Sequence, residues 1–327
     1  MTTPTAISDL GPTVARLLAA AGINEPHPLL SKLDQGEDNT LYVTTVADQD
    51  LVVRVRRGLT DRYAVAAWAS RTLSNARVPV ARVLGVTEGV AVETRCPGGP
   101  LASARSTTAR PAGKDVEVAV EAGRLLRRIH TVPVIGFGKL DLTGHGHGGT
   151  PHDWLVAHRI GHATDNDLTV LLTRVHQVIR HHAASLSGAP TRLLHGDWKA
   201  AHIIAADGEI TGVVDLESAR GGHPLADVAG WSLREHPALT DALIHGYASP
   251  DWDTATAVTL TLLRLRIAAA LLRYHLDHQD TANAQLRVRQ LRADLHDLTA
   301  GRPRTTPRAT AHAPTLMPPA SPVKGDR

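Results

Sequence analysis

The feature that most constrains this chain is a pair of aspartates, Asp197 and Asp215, on either side of a predicted β-hairpin. Two short apolar runs begin at Ile203 and at Ile210, and an Asp-Gly turn separates them. Apolar runs joined by such a turn are typical of antiparallel strands. Because a hairpin brings its two ends to one edge, we expect the two carboxylates to lie close together.

Two converging carboxylates suit phosphoryl transfer, in which a protein orients a hydroxyl group and holds magnesium against phosphates. In this interpretation Asp197, in the loop before the hairpin, accepts the proton of the attacking hydroxyl, and Asp215, at a strand end, binds the metal. Each aspartate alone also fits a structural role, because Asp is common in turns. The His195-Gly196 dipeptide directly before Asp197 favours the catalytic interpretation.

The order of these residues resembles the signature of the aminoglycoside phosphotransferase family, which runs H-G-D-x-x-x-x-N, then a hairpin, then D-x-E or D-x-D. His195, Gly196 and Asp197 match its start, and Asp215 with Glu217 matches its end. The resemblance implies an α+β, two-lobed protein-kinase-like fold with a small strand-rich N-lobe and a larger helical C-lobe. It also implies a kinase that transfers the γ-phosphate of ATP or GTP to an alcohol group.

The domain organisation expected from this resemblance is a nucleotide-binding N-lobe at residues 1–97 and a helical C-lobe at residues 98–300, which carries the catalytic loop and the acceptor site. Residues 301–327 contain six prolines and few apolar residues, which predicts a disordered tail. That tail also has five basic residues against one acid, whereas the whole chain has a formal charge of +3. The rest is therefore close to neutral, and we expect no nucleic-acid partner.

The metal site departs from the family pattern at one position, because His202 replaces the metal-binding asparagine. The resemblance implies that Asp215, with or without His202, holds Mg²⁺. Imidazole suits softer metals than magnesium, so we expect weak binding of a second metal or good use of Mn²⁺. In the alternative, His202 only anchors the loop through hydrogen bonds. The resemblance also gives Trp198, Lys199 and Glu217 as candidate contacts to the acceptor.

The candidates for phosphate binding lie in the first predicted strands. Gly36 and Asn39 belong to a turn of the form G-x-x-N, which covers the phosphates in the family. Arg54 stands where kinase-like folds place a phosphate-holding lysine, and a guanidinium pairs with phosphate through two nitrogens. Arg56, two residues further along the same strand face, is the alternative.

The helix predicted after these strands lacks the glutamate that would orient this basic residue, since no Glu lies between Glu37 and Glu88. Either Asp61 or Tyr63 replaces that glutamate, or the guanidinium needs no partner.

The expected contact for the nucleotide base is the hinge between the lobes. The strand 89–94 runs into Arg95-Cys96-Pro97-Gly98, which resembles the family's hinge. The resemblance implies that the main chain of Glu93, Thr94, Arg95 and Cys96 binds the base of ATP or GTP.

The cellular setting is predicted from two features. Cys96 is the single cysteine, which excludes an internal disulfide framework and fits a reducing compartment, and we therefore expect a cytoplasmic protein. The most apolar stretch, 258–276, contains three arginines, so we expect a soluble core helix and no membrane partner.

Three functions remain open at this stage. The first is a phosphotransferase for an aminoglycoside, or for another antibiotic-type acceptor such as a nucleoside or a peptide, and it would confer antibiotic resistance. The second is a metabolic kinase for an amino alcohol or a sugar, and the third is a pseudokinase-like nucleotide-binding protein. Seven acids against two basic residues between Asp215 and Asp253 would suit a polycationic acceptor, although acidic helix faces are ordinarily only solvated. The oligomeric state is left open.

Overall fold

The computed structural model of the protein describes residues 7–35, 39–56, 62–101, 111–156, 166–186, 190–248 and 252–301. Gly36, a predicted phosphate contact, and Asp61, a candidate partner of Arg54, lie outside these ranges. The predicted tail beyond Gly301 also lies outside them.

The N-lobe is built on a five-stranded antiparallel sheet with the order β1-β2-β3-β5-β4. Its strands are β1 (Ser31–Gln35), β2 (Asn39–Val46), β3 (Gln49–Arg56), β4 (Val83–Thr87) and β5 (Val90–Thr94). The helix α1 (Ile7–Ala20) packs against this sheet, and α2 (Arg62–Asn75) contacts β4. Leu18, Leu51, Val53 and Val92 are fully buried at its centre, as expected for alternating strands with one face in a core.

The C-lobe contains seven of the helices in the part of the chain that the structure describes. They are α3 (Gly113–Ile129), α4 (Pro151–Val156), α5 (Asn166–His182), α6 (Leu225–Arg234), α7 (Pro237–Tyr247), α8 (Thr254–Asp277) and α9 (Thr281–Thr299). The strand-rich first lobe and the helical second lobe confirm the predicted α+β architecture.

Two small sheets complete the C-lobe. Their strands are β6 (Gly99–Pro100), β7 (Phe137–Leu140), β8 (Gly146–Gly148), β9 (Arg192–Leu194), β10 (Ile203–Ala206), β11 (Glu209–Val213) and β12 (Arg220–Gly222). The chain leaves the N-lobe sheet at Thr94 and joins β10 of the C-lobe at Gly99. The predicted lobe boundary at Gly98 falls in this connection.

The helix α8 is long and apolar enough to cross a membrane, and it is the one such helix among the described residues. However, 56% of its most apolar window is buried inside the protein. It also contains Arg264, whose side chain is 9% exposed and forms a 3.0 Å ion pair with Asp294 of α9. These are the properties of a packed core helix.

Helices α3 and α7 of the C-lobe pack closely against each other, and a glycine on each helix permits this contact. A Cβ atom added to Gly123 would lie 2.1 Å from the carbonyl oxygen of Leu243, and one added to Gly246 would lie 1.8 Å from that of Val120. The backbone carbonyls cannot give way without separating the helices, so only glycine fits.

We therefore expect Gly123→Ala to lower the free energy of unfolding by roughly 1–3 kcal/mol or more, through overpacking. Gly113→Ala, at the start of the same helix, is the matched control, because nothing lies within 4 Å of its added Cβ. Replacing that glycine should be neutral or slightly stabilising. Urea unfolding of both variants measures the difference, and equal midpoints would contradict this account of the contact.

Candidate active site

The predicted hairpin exists as β10 and β11, and it brings the two aspartates together. Asp207 and Gly208 form its turn with φ of 54° and 90°, values typical of a tight hairpin turn. Asp197, His202 and Asp215 lie at the other end of the hairpin. One possible metal-ligand atom from each of these three side chains lies within 4.8 Å of those of the other two. The expected convergence of Asp197 and Asp215 is therefore confirmed.

The loop that carries Asp197 is fixed by Asp227 of α6, which is 3% exposed. Its carboxylate accepts hydrogen bonds from the amides of His195, at 2.8 Å, and Gly196, at 2.9 Å. Gly196 has a φ of 83°, and an added Cβ would lie 2.0 Å from the carbonyl oxygen of Ser218. Only glycine fits this position, so the backbone just before Asp197 has one conformation.

The carboxylate of Asp197 is surrounded by positive charge. Lys199 Nζ lies 2.9 Å from its Oδ2 and Arg234 Nη2 lies 3.4 Å from its Oδ1. Burial alone would raise the pKa of Asp197, but Arg234, His202 and Lys199 outweigh burial and lower that pKa to about 2. Asp197 is therefore ionised at neutral pH and can accept a hydrogen bond from a hydroxyl group.

Asp215 is held in the left-handed region, with a φ of 65° and a ψ of 53°, two residues after the end of β11. Asp tolerates this conformation better than most residues, but it remains uncommon and often marks a functional position. The turn directs one carboxylate oxygen to within 2.8 Å of Arg54 Nη2 and the other to within 3.1 Å of His202 Nε2.

The protonation of His202 follows from its hydrogen bonds. Its Nδ1 lies 3.0 Å from the main-chain carbonyl oxygen of Asp197, which can only accept, so Nδ1 carries the hydrogen. Burial lowers the pKa of His202, which favours the neutral ring. The lone pair of Nε2 then faces Asp215 Oδ2 at 3.1 Å.

Two lone pairs this close repel each other unless a cation binds to them. Asp215 Oδ2 and His202 Nε2 therefore fit a divalent metal, with Asp197 near enough to contribute. His202 anchors the loop through Nδ1 and presents Nε2 as a metal ligand. The structure is therefore compatible with both the loop-anchoring role and the metal-binding role expected from the sequence.

Arg54 lies at the centre of a buried charge cluster. Its guanidinium contacts the carboxylates of Glu93 at 3.4 Å, Asp215 at 2.8 Å and Glu217 at 2.9 Å. Burial alone would lower the pKa of Arg54, but these three carboxylates raise it above its ordinary value. The cluster joins β3 and β5 of the N-lobe to the segment that follows the catalytic hairpin.

Glu93 supplies the partner that the sequence did not reveal. The expected glutamate was sought in the helix after β3, whereas Arg54 pairs with a residue of the neighbouring strand. In the β3–β5 register Arg54 is opposite Ala91, so Glu93 is its diagonal neighbour on the same face. Alternation along β5 was the signal that could have found this pair. The predicted role of Glu93 was limited to its main chain.

Asn39 and Glu217 lie beside this cluster. The amide of Asn39 donates to Glu217 Oε1 at 2.9 Å, and its carbonyl accepts from the hydroxyl of Tyr63 at 2.9 Å. Arg56 Nη1 is 3.2 Å from Glu217 Oε2. Glu217 was considered as an acceptor contact, and its carboxylate instead faces the N-lobe. Tyr63, considered as the Arg54 partner, reaches Asn39.

The two other acceptor candidates lie on the catalytic loop. Trp198 is 1% exposed and packs edge-on against His195, with ring centroids 5.4 Å apart. Lys199 is paired with Asp197. Trp198 and Asp197 both line a cavity of about 520 Å³ in the C-lobe.

Two main-chain amides of the predicted hinge already form hydrogen bonds within the N-lobe. The amide of Thr94 donates to the carbonyl of Arg82, and that of Arg95 donates to the carbonyl of Asp50. These two amides are not available to a nucleotide base. The hydroxyl of Thr211 in β11 donates to the carbonyl of Pro97 at 2.6 Å, which ties the hinge to the catalytic hairpin.

A family model described as the phosphotransferase enzyme family matches residues 30–258, which is more than half of the chain and contains both aspartates. The chain belongs to this family. The protein is therefore a kinase-like phosphotransferase, as the resemblance implied. A comparison with curated proteins gives no match.

Solved structures give the same fold at low sequence identity. The aminoglycoside phosphotransferase APH(4)-Ia has a TM-score of 0.69 and 17% identity, with 89% of this chain and 99% of that chain covered. A thermostable mutant of that enzyme, in a ternary complex with AMP-PNP and hygromycin B, has a TM-score of 0.67 and 20% identity over 82% and 93% of the two chains. Macrolide 2'-phosphotransferase MphH from Brachybacterium faecium has a TM-score of 0.54 and 18% identity over 87% and 98%. At these identities the similarity establishes the kinase-like fold alone.

Proposed function

We propose that this phosphotransferase transfers the terminal phosphoryl group of ATP or GTP to a hydroxyl group of a small molecule bound in the cavity beside Asp197. The observation that carries the proposal is the convergence of Asp197, His202 and Asp215 within 4.8 Å, with Asp197 also lining that cavity. Such a site provides a proton acceptor and metal ligands on the two sides of one reacting group.

In the proposed reaction the acceptor oxygen forms a bond to the terminal phosphorus as the bond between that phosphorus and the bridging oxygen breaks. The nucleoside diphosphate leaves, and the proton of the hydroxyl passes to Asp197. A carboxylate with a pKa of about 2 is a weak base. Asp197 therefore acts mainly by orienting the hydroxyl and takes the proton late, as the hydroxyl becomes acidic.

Asp215 and His202 would hold the divalent metal, and Mg²⁺ or Mn²⁺ would supply charge neutralisation for the phosphates when bound. Arg54 is proposed to bind the phosphates, because it lies beside Asp215 and its guanidinium can pair with phosphate oxygens. Gly36 and Asn39 are proposed to cover the phosphates. For the base, we propose contacts with the main chain of residues 93–96, where the Cys96 amide is the candidate donor, since those of Thr94 and Arg95 are used in the sheet.

The proposal is tested with purified protein, ATP or GTP, and Mg²⁺. Binding of a nucleotide should raise the thermal unfolding temperature only when the metal is present, and nucleoside diphosphate should be released when a hydroxyl acceptor is added. Asp215→Asn should remove the metal dependence of the shift. Absence of nucleotide turnover with every acceptor, together with normal binding, would overturn the proposal.

One observation favours a binding protein without turnover as the second candidate. Arg54 forms a 2.8 Å ion pair with Asp215, and this contact competes with metal binding by the same carboxylate. A protein locked in this state would bind nucleotide without metal. Metal-independent thermal shifts, equal in the wild type and in Asp215→Asn, are the result expected for this candidate.

The metal preference gives a prediction that isolates His202. Because imidazole is a better ligand for Mn²⁺ than for Mg²⁺, the ratio of kcat/KM with Mn²⁺ to kcat/KM with Mg²⁺ should be higher in the wild type than in His202→Asn. Titrating both metals against both proteins measures this ratio. His181→Asn, at an exposed position of α5, is the matched control and should leave the ratio unchanged. Identical metal profiles for wild type and His202→Asn would leave His202 with its anchoring role alone.

A further inference from the structure

The cavity beside Asp197 is large enough for a small molecule, at about 520 Å³. It is lined by residues of the catalytic loop, β7, β12, α4, α6 and α8. The charged side chains that line it are of mainly one sign. Four are basic and two are acidic, namely Lys139, Arg220, Arg234, Arg266, Asp197 and Asp227.

The two acids of this cavity are already compensated. Asp227 accepts two main-chain amide hydrogen bonds and lies 3.2 Å from His130 Nε2. Asp197 is paired with Lys199 and Arg234. By contrast, Arg220, Arg266 and Lys139 form no direct ion pair with a carboxylate among the residues that the structure describes.

Arg220 is the most informative of these cations. It is largely buried, and its Nε donates to the carbonyl of Ser218 at 3.1 Å. Across the strand pair it is opposite Leu194, three residues before Asp197. Its two terminal nitrogens have no hydrogen-bond partner within the described ranges. Burial lowers the pKa of Arg220 below its ordinary value, although the nearby carboxylates of Asp227 and Asp197 oppose the shift. A largely buried guanidinium whose terminal nitrogens lack hydrogen-bonded partners is costly, and an anion bound in the cavity would supply those partners.

Arg266 is held in place by Trp154. Its guanidinium carbon lies 4.8 Å from the centre of the Trp154 ring, and its Nε donates to the Trp154 carbonyl at 3.3 Å. Burial lowers the pKa of Arg266 to about 10, so it stays charged at neutral pH. This arrangement orders the side chain before any ligand binds, which reduces the entropy lost on binding.

The remaining wall is aromatic and aliphatic. Phe137 and Trp154 are in ring contact, with centroids 5.9 Å apart, and Ile267 and Leu271 of α8 line the same space. Such a wall favours a ligand with a ring or another apolar portion.

The acidic excess between Asp215 and Asp253 lies elsewhere in the fold. Asp215 and Glu217 face Arg54, Glu235 accepts from the Ala200 amide, and Asp253 caps α8. Of the acids from that run that the structure describes, Asp227 is the one that lines the cavity. The charge pattern that suggested a polycationic acceptor is therefore not found in the acceptor cavity.

We propose that the acceptor is a hydroxy compound that carries a carboxylate and an apolar or aromatic portion, with Arg220 as the residue that binds the carboxylate. Arg266 and Lys139 add positive potential, and a polycationic acceptor is disfavoured by the same charges. This inference rests on the proposed function, which makes the cavity the acceptor site.

The experiment uses three probes that share one phenyl ring and one secondary hydroxyl and differ in charge: phenyllactate, phenyllactamide and the corresponding amino alcohol. Kanamycin serves as a polycation. Binding to the full chain is measured by calorimetry, and turnover by release of nucleoside diphosphate. Phenyllactate should bind roughly 10- to 100-fold more tightly than the amide, as expected for charge-assisted hydrogen bonds. The amino alcohol and kanamycin should bind most weakly.

Arg220→Met should abolish the preference for the carboxylate over the amide, whereas Arg289→Met, at an exposed position of α9, should retain it. Nucleotide-induced thermal shifts show whether each variant is folded. If Arg220→Met does not fold, Arg266→Met provides a second test of the preference for the carboxylate. Equal binding of the three probes, tighter binding of the amino alcohol or kanamycin, or no binding of phenyllactate would overturn the inference. Nucleotide turnover that depends on Asp197 would still support the kinase in those cases. Phenyllactate binding without nucleotide turnover for this or any other acceptor would instead overturn the proposed function, and with it the assignment of the ligand as an acceptor.

Discussion

Asp197→Asn is expected to lower kcat by roughly 10²- to 10⁴-fold, the range typical for loss of a general base. The amide has nearly the same shape, so the acceptor cavity keeps its volume, but it cannot take the proton of the attacking hydroxyl. It also removes the negative charge that Lys199 and Arg234 compensate. Nucleotide binding should persist, because Asp215 and Arg54 remain in place.

Steady-state turnover and nucleotide-induced thermal shifts, measured on the same preparations, separate the two effects. Asp207→Asn is the matched control, since it makes the same chemical change at an exposed position of the hairpin turn. Asn also tolerates the positive φ of 54° found there. Near-normal kcat in Asp197→Asn would remove this residue from the proposed mechanism, whereas loss of nucleotide binding would indicate a role in the metal site.

The convergence of Asp197 and Asp215 was predictable because it depends on local rules. An Asp-Gly turn between two apolar runs specifies a hairpin, and a hairpin brings its two ends to one edge whatever the rest of the fold does. The two amide hydrogen bonds that fix the catalytic loop to Asp227, by contrast, link residues 32 and 31 positions apart.

The partners of Arg54 were not predictable in the same way. Glu93 was read as hinge main chain, and pairing it with Arg54 requires the β3–β5 register, which links residues 39 positions apart. Glu217 reaches Arg54 over 163 positions, so only the packing of the two lobes reveals that contact. Alternation along each strand shows which face a residue occupies, but it gives neither the register of β3 with β5 nor the packing of the two lobes.

The charge of the acceptor cavity was also hidden in the sequence. Its basic residues come from β7, β12, α6 and α8, and each is isolated in its own segment. The acids between Asp215 and Asp253 form a visible run, but the fold distributes them to Arg54, to a loop amide and to a helix cap. Counting charges along the chain therefore gave the opposite sign from the one lining the cavity.

Arg54→Met is expected to lower the free energy of unfolding by roughly 3–5 kcal/mol, the cost of breaking a buried ion pair by removing one partner. Three carboxylates share this guanidinium, and the side chains of Arg54 and Glu93 are each 10% exposed. Burial already raises the pKa of Glu93 above its ordinary value although Arg54 opposes the shift. Without Arg54, ionised Glu93 would have neither water nor a cation beside it.

A double-mutant cycle with Glu93→Gln identifies the cause of that loss. If the loss comes from an uncompensated carboxylate, the double variant should be more stable than Arg54→Met alone, with a coupling energy of about 0.5–3 kcal/mol. Urea unfolding measures all four proteins, and Arg82→Met, an exposed arginine before β4, should change stability by no more than about 0.5 kcal/mol. Additive effects in the cycle would mean that Arg54 stabilises the protein through packing of its aliphatic stem. The charge cluster would then serve the binding of phosphate and metal without contributing to the stability of the fold.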